Sequence, residues 1–374
     1  MTIRQRTEMI EDEILSPFAA KSKLSKGRNR DEELCDIRTC YQRDRDRIVH
    51  CKAFRRLMHK TQVFISPEGD HFRTRLTHTL EVSQIARTIA FALRLNEDLT
   101  EAIALGHDLG HTPFGHLGEE DLNRVVPEGF HHNEQSVRVV ETIEKNGEGL
   151  NLTKEVLDGM LNHRGSGSPS TLEGKIVQIS DKIAYVNHDI DDAIRAGMLT
   201  EDMLPKDCTD ILGNTLKNRI DFLVRNIIKN SQDVNDIKMD SEVKSALYKL
   251  RKFMFDNVYN SGILENERKK YGRFLSVLYG YYLDNFNEVP EEFKKNYNNN
   301  TEEYHQERIV ADYLAGMTDR FAKNIYESLG SKLKNIYNKK GYLRSMSKIK
   351  YDEVCFEQSI LVKEESLWAI IQEK

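Results

Sequence analysis

Long hydrophobic runs are absent from this chain. In 374 residues no stretch comes near the roughly 20 apolar residues that a membrane-crossing helix needs, so no membrane partner is expected. The opening MTIRQRTEMIEDEILSPF is too acidic and too poor in apolar residues for a signal peptide. Cysteine is scarce. Its five occurrences (Cys35, Cys40, Cys51, Cys208 and Cys355) form no C-x-x-C pair and leave an odd one over, which argues against a disulfide framework and for a reducing, cytoplasmic setting. Proline occurs only seven times, and strand signals are few. QVFIS and HFRTR, separated by PEGD, predict at most one small β-hairpin. Positive charge is lacking overall, and a net charge of −5 argues against bulk affinity for nucleic acid. The shortage is uneven. Lys21 to Lys60 holds thirteen Lys or Arg against six Asp or Glu, an arm suited either to a solvated surface or to the phosphates of a substrate, an effector or a single-stranded nucleic acid.

What the chain does hold is helical periodicity, with a hydrophobic content of 39% that supports a sizeable core. Thr77–Leu95 puts His78, Val82, Ile85, Ile89 and Ala92 on one face. A second helix starts near Asp98 or Thr100, carries Ile103 and His107, and is ended by Gly110 and Pro113. Shorter helices are expected over Gly118–Val126, Asn133–Lys145 and Thr153–Asn162. After the turn RGSGSPS a long helix runs from about Thr171 to Arg195. Apolar stripes beginning at Ile220, Val243 and Phe274 predict further helices, and KKNYNNNTEEYH (294–305) a loop. The expected fold is all-α in three segments: a basic arm over 1–61, a core over 62–196, and a helical region over 197–374 packed on that core.

The densest chemistry lies in HDLGHTPFGH, from His107 to His116, where three histidines and an aspartate surround two glycines and a proline. Histidine is the commonest metal ligand and the usual acid–base side chain near neutral pH. A lone histidine on an apolar face, such as His78, is ordinarily a core residue. His107, inward-facing and followed by Asp108, changes that reading. A fourth ligand comes from the long helix. Its stripe Ile176, Ile179, Ile183, Val186 and Ile190 is a core face, while Asp181, Tyr185 and Asp189 recur at i, i+4, i+8 on roughly the opposite one. An aromatic ring between two aspartates suits a pocket wall better than a solvated face. His78, His107, Asp108 and Asp181 make a mixed nitrogen–oxygen set. Such a set favours a divalent ion with open positions, Mn2+ or Mg2+ first and Fe, Co or Ni as further candidates, over a closed structural zinc site. Open positions are what metal-assisted hydrolysis needs.

The order H…HD…D resembles the HD superfamily of metal-dependent phosphohydrolases. TRLTHTLEVSQIAR, HDLGHTPFGHLGEE, HHNEQSVR, SDKIAYVNHDIDDAIRAG and VADYLAGMTDRFA, with SPFAAKSKLSKGR before them, resemble the deoxyguanosinetriphosphate triphosphohydrolase-like proteins, the bacterial dNTPases. These blocks span residues 16 to 325. The resemblance implies an HD-domain helical fold with additional C-terminal helices, hydrolysis of a dNTP (dGTP first) to deoxynucleoside and inorganic triphosphate, and a homo-oligomer, often a hexamer. It also implies residue roles. His111, His116 and Glu119 match the catalytic group beside the metal, with Glu119 orienting His116, and His132 matches a further active-site histidine. Arg75 and Lys182 match phosphate contacts, Tyr185 the deoxyribose platform and Asp189 the acceptor for the 3′-hydroxyl. Gln62 and Val63 match the segment bordering the nucleoside. Two rivals remain open: another HD phosphohydrolase, acting on cyclic nucleotides, alarmones or nucleoside monophosphates, and a non-catalytic sensor of nucleotides or single-stranded DNA. A dNTP effector is a further partner that the resemblance raises.

Overall fold

The computed structural model describes residues 1–63, 72–259, 271–295 and 306–337. Among them the chain is all-α, with no sheet and only two isolated bridges. The helices are α1 (Ile3–Ile14), α2 (Cys40–Val49), α3 (Lys52–Arg56), α4 (Arg75–Ala92), α5 (Glu97–Gly106), α6 (Gly115–Val125), α7 (His132–Arg138), α8 (Lys154–Asn162), α9 (Leu172–Arg195), α10 (Lys206–Leu212), α11 (Leu216–Ser231) and α12 (Ser241–Met254). After them come α13 (Phe274–Asp284), α14 (Glu291–Lys294), α15 (Gln306–Ala315) and α16 (Asp319–Tyr337). None is long and apolar enough to cross a membrane. Most of the expected hairpin, and the asparagine-rich loop from residue 296 to 305, lie outside the described residues. Thr61 and Thr74, on either side of the undescribed stretch, form an isolated antiparallel bridge, and Arg75, the last residue of HFRTR, already begins α4.

Local chemistry explains the helix starts. Thr74 caps α4 by accepting from the Thr77 amide, while the Thr77 hydroxyl takes up the Thr74 N–H. Asn96 caps α5 by accepting from the Leu99 amide, and Thr171 caps α9 by accepting from the Gly174 amide. Burial then selects faces. Val82, Ile85 and Ile89 of α4 join Ile103 of α5 and Ile176, Ile183, Val186 and Ile190 of α9 in one core. Tyr41, Ile48 and Leu57 from the basic arm belong to the same core. Several arginines of that arm are engaged internally: Arg28 with Asp44, Arg45 with Asp98, and Arg47 with Glu32. A second core gathers Phe114 and Leu122 with residues of α13, α15 and α16.

HDLGHTPFGH bridges the two cores, with Leu109 in the first and Phe114 in the second. Its path past α7 is very tight. A Cβ on Gly110 would lie 2.2 Å from the backbone nitrogen of Ser136. Both sides of that contact are main chain and cannot swing away. Gly110→Ala is therefore expected to destabilise the fold by about 3 kcal/mol or more, the upper range for overpacking. Urea unfolding followed by circular dichroism measures this, and an unchanged midpoint would show that the two segments part without cost.

Candidate metal centre

His78 sits one turn into α4, His107 caps α5, Asp108 follows it, and Asp181 lies on α9. The first three are buried and Asp181 is half-buried. His78 Nε2 lies 3.1 Å from Asp181 Oδ1. His107 Nε2 lies 3.5 Å from Asp108 Oδ1 and 3.9 Å from Asp181 Oδ1. His107 Nδ1 is 2.6 Å from the Ala104 carbonyl, which can only accept, so Nδ1 carries the hydrogen and Nε2 presents a lone pair. That Nε2 is buried without a hydrogen-bond partner. An unpartnered buried nitrogen is costly, and a cation between these four side chains would satisfy it; the donor set fits a divalent ion. Burial alone would raise the Asp108 carboxyl, but His107, Arg75 and His111 around it hold it well below the usual carboxylate range.

Arg75, expected as a phosphate contact, is tied to the centre itself. It is buried, and its Nη1 donates to Asp108 Oδ2 at 2.7 Å. It grips the far edge of the carboxylate whose other oxygen faces His107 and His111. Gln62 is buried beside it, its carbonyl 3.5 Å from Arg75 Nη2, and Val63 is half-buried at the limit of the described residues.

The second half of HDLGHTPFGH builds a second group. His111 Nε2 is 3.5 Å from Asp108 Oδ1, and its ring stacks on His132 with centroids 3.9 Å apart. Burial, with Arg75 and His132 nearby, keeps the His111 imidazole neutral well below its ordinary range. Glu119 is the hub, shared between His116 and His132. Its carboxylate accepts from His132 Nδ1 at 2.9 and 3.0 Å, from the His132 amide at 3.1 Å and from Arg164 Nη1 at 2.7 Å. His116 Nδ1 stands 3.4 Å away on an exposed side chain. The reason is the turn: Phe114 and Gly115 both take positive φ, 62° and 56°, which starts α6 at Gly115 and leaves His116 at its open edge.

A third wall runs along α9. Lys182 Nζ donates to the Tyr248 hydroxyl at 2.9 Å, so it turns towards α12. Arg251 Nε donates to the Tyr185 hydroxyl, and Tyr259 donates its hydroxyl to Asp189 Oδ2. Burial pushes the Asp189 carboxyl up to about 7, against the lowering effect of that bond.

Comparison with known proteins places these elements. The HD domain family matches residues 75–186, and the phosphohydrolase-associated domain matches residues 237–328. A deoxyguanosinetriphosphate triphosphohydrolase-like protein of Caldanaerobacter subterraneus subsp. tengcongensis is 60% identical over 329 residues, covering 88% of this chain and 96% of that protein. A relative of the same name in Clostridium perfringens is 54% identical over 338 residues, covering 88% and 98%. The chain belongs to the deoxyguanosinetriphosphate triphosphohydrolase-like family. It is thus an HD-domain, metal-dependent phosphohydrolase. A more distant member from Geobacter sulfurreducens, 39% identical over 368 residues, still aligns over 84% of this phosphohydrolase and 94% of its own length.

Several residues of this HD phosphohydrolase's site escape sequence reasoning. His163 and Arg164, in the NHRG that leads into the glycine–serine turn, read as an ordinary helix end. Tyr248, Arg251, Phe255 and Tyr259 sit at i, i+3, i+7, i+11, and that spacing on the face away from the stripe Val243–Leu247–Leu250–Met254 was the available signal. Lys60 is fully buried, with Nζ donating to the His111 carbonyl and, at 2.7 Å, to the Ala315 carbonyl. Asp319 accepts the Phe114 amide at 3.1 Å with one oxygen and the Thr61 amide at 3.0 Å with the other. These two residues fasten the strained turn to the C-terminal helices; a left-handed Phe114 otherwise costs about 1–2 kcal/mol.

Proposed function

We propose that this phosphohydrolase converts deoxynucleoside triphosphates, dGTP first among them, to the deoxynucleoside and inorganic triphosphate by water attack at the α-phosphorus. The observation that supports the reading is that α9 carries Asp181 of the metal centre together with Tyr185 and Asp189, one and two turns further on. One turn is about 5–6 Å along the axis, the step from an α-phosphate to the far side of a deoxyribose.

An ion held by His78, His107, Asp108 and Asp181, Mn2+ or Mg2+ by the donor set, would act as a Lewis acid on the α-phosphate and acidify water. His111, 3.5 Å from Asp108 and stacked on His132, is the candidate to accept a proton. His116, exposed and within reach of Glu119, is fit to give one to the leaving 5′-oxygen. Arg75 steadies Asp108 and offers its unpartnered Nε to the phosphates, while Lys182, held at Tyr248, supplies a further positive charge. The Tyr185 ring crowds C2′ and so disfavours a ribose, Asp189 accepts from the 3′-hydroxyl, and Gln62 and Val63 border the nucleoside. A homo-oligomer, a hexamer by the family's habit, and an effector dNTP or single strand on the basic arm complete the proposal.

Phosphorus NMR of a dGTP digest tests the reaction. Inorganic tripolyphosphate should appear with free deoxyguanosine. Water labelled with oxygen-18 should leave its label in a terminal phosphate of the tripolyphosphate. Pyrophosphate with dGMP as the first products would overturn the reading.

A further inference from the structure

We propose that Arg73 is a positioning residue for the sugar end of the site, setting where Asp189 stands relative to Gln62 and so the preference for a substrate with a 3′-hydroxyl. The proposal rests on the reading of Asp189 as acceptor for that hydroxyl and of Gln62 as a border of the nucleoside. Arg73 has no part in the hydrolysis itself.

Arg73 immediately precedes Thr74, the cap of α4, and lies at the centre of a charged cluster outside the metal centre. Its Nε donates to both oxygens of Glu81, two turns into α4, at 3.1 Å. Its Nη1 reaches three acceptors on α9: Asp191 Oδ2 at 3.0 Å, Asp192 Oδ1 at 2.5 Å and the His188 carbonyl at 3.3 Å. The Arg73 amide lies 3.4 Å from Asp192 Oδ2, and Glu81 Oε2 lies 3.1 Å from His188 Nδ1. Hydrogen bonds between ionised groups are the strong ones, and a planar guanidinium fixes direction as well as distance. The α9 partners, residues 188, 191 and 192, flank Asp189. Neighbouring side chains on a helix point about 100° apart, so His188 faces Glu81 while Asp189 faces Tyr259.

The region of α4 and α9 are thus tied by polar groups at two levels. His78 and Asp181 meet at 3.1 Å at the metal end, and the Arg73 cluster closes the other. Asp189 stands eight residues beyond Asp181, about 12 Å along the axis. With the metal end as pivot, a tilt of α9 by about 5° would move Asp189 by about 1 Å, a displacement that can cost about a hundredfold where orientation matters. Gln62 is tied to the same place. Thr74, next to Arg73, bridges Thr61, next to Gln62, and Asp319 accepts the Thr61 amide. Arg73 therefore joins the helix of Asp189 to the stretch that carries Gln62. Its loss should be felt at the sugar and not at the ion, which lies near the pivot.

The test uses the full-length, Mn2+-loaded protein. Turnover of dGTP is compared with that of 2′,3′-dideoxyguanosine triphosphate, and binding of deoxyguanosine with that of 2′,3′-dideoxyguanosine by calorimetry. The wild type is expected to favour the 3′-hydroxyl at least about tenfold in both, since a site built to bond a hydroxyl rejects the analogue lacking it. Arg73→Gln should bring both ratios to within about threefold, chiefly by a higher KM for dGTP, with kcat changed less than about threefold and bound Mn unchanged. Asp192→Asn should act in the same direction, and the double variant should be no worse than Arg73→Gln alone. If Arg73→Gln does not fold, Asp192→Asn decides by the same ratios. Unchanged ratios in the folded variants, or an equal fall in kcat for both nucleotides, would overturn the role of Arg73 and leave that of Asp189 standing. A wild type without preference in either comparison would bring down the Asp189 reading and this one with it. A wild type that turns over no dNTP yet prefers deoxyguanosine would refute the reaction alone, and the calorimetric ratio would still decide on Arg73.

Discussion

Asp181→Ala is expected to empty the metal centre and lower turnover at least about a thousandfold, the scale on which removal of a principal electrostatic group acts, while the protein stays folded. Burial alone would raise this carboxyl. The hydrogen bond with His78 and the nearby His107 outweigh burial and hold it at about 2, so it is ionised at every working pH. It is also the residue that joins α9 to the centre: His78 lies 3.1 Å away and His107 3.9 Å. Without it two imidazoles and Asp108 remain, and Asp108 already spends one oxygen on Arg75. Metal content by mass spectrometry, turnover and a circular dichroism melt form the measurement. A variant with wild-type metal content would remove Asp181 from the ligand set. The core face of α9 is untouched by the change, so any loss of activity belongs to the centre and not to unfolding.

Glu119→Gln separates metal holding from proton handling. The carboxylate accepts from the His132 ring, the His132 amide and Arg164. Burial opposes its ionisation, but bonds from His116 and His132 hold it far below the usual range. Glutamine keeps the shape and places an NH2 where one of these acceptors stood. Either the His132 ring or Arg164 must then face a donor. The His132 ring is expected to turn or change tautomer, and turnover to fall roughly a hundredfold, the ordinary scale for acid–base machinery. Metal bound by His78, His107, Asp108 and Asp181 should persist. Retained metal with near-normal turnover would make Glu119 a packing residue.

Legibility followed the range of the interactions. The faces of α4, α5 and α9 were readable because a 3.6-residue period is a local property; His78 lies on α4, Asp181 on α9, and His107 and Asp108 at the end of α5. Lys182 was harder to place. Its position beside Asp181 turns it about 100° round the helix, and only α12, some sixty positions on, determines what it meets. Glu119 was read with the histidine nearest in sequence, His116, which stands 3.4 Å from it, whereas its bonds to His132, a more distant residue, left no local sign. The partners of Lys60 could not have been found at all. They are backbone carbonyls, of His111 and Ala315, and a carbonyl leaves no mark on composition. His163 had a signal, a histidine just before a glycine-rich turn, but such residues end many helices.

The fastening of the Phe114 turn by Asp319 also bears on how such a protein can change over generations. An HD segment cut out between residues 62 and 196 and fused to a new partner would carry all four candidate metal ligands with it. It would leave behind the carboxylate that holds the turn and the Ala315 carbonyl that holds Lys60. The heritable unit is therefore not the HD segment but that segment together with Lys60, α15 and the start of α16. Recombination that splits it yields a bundle whose HDLGHTPFGH turn has lost its anchor.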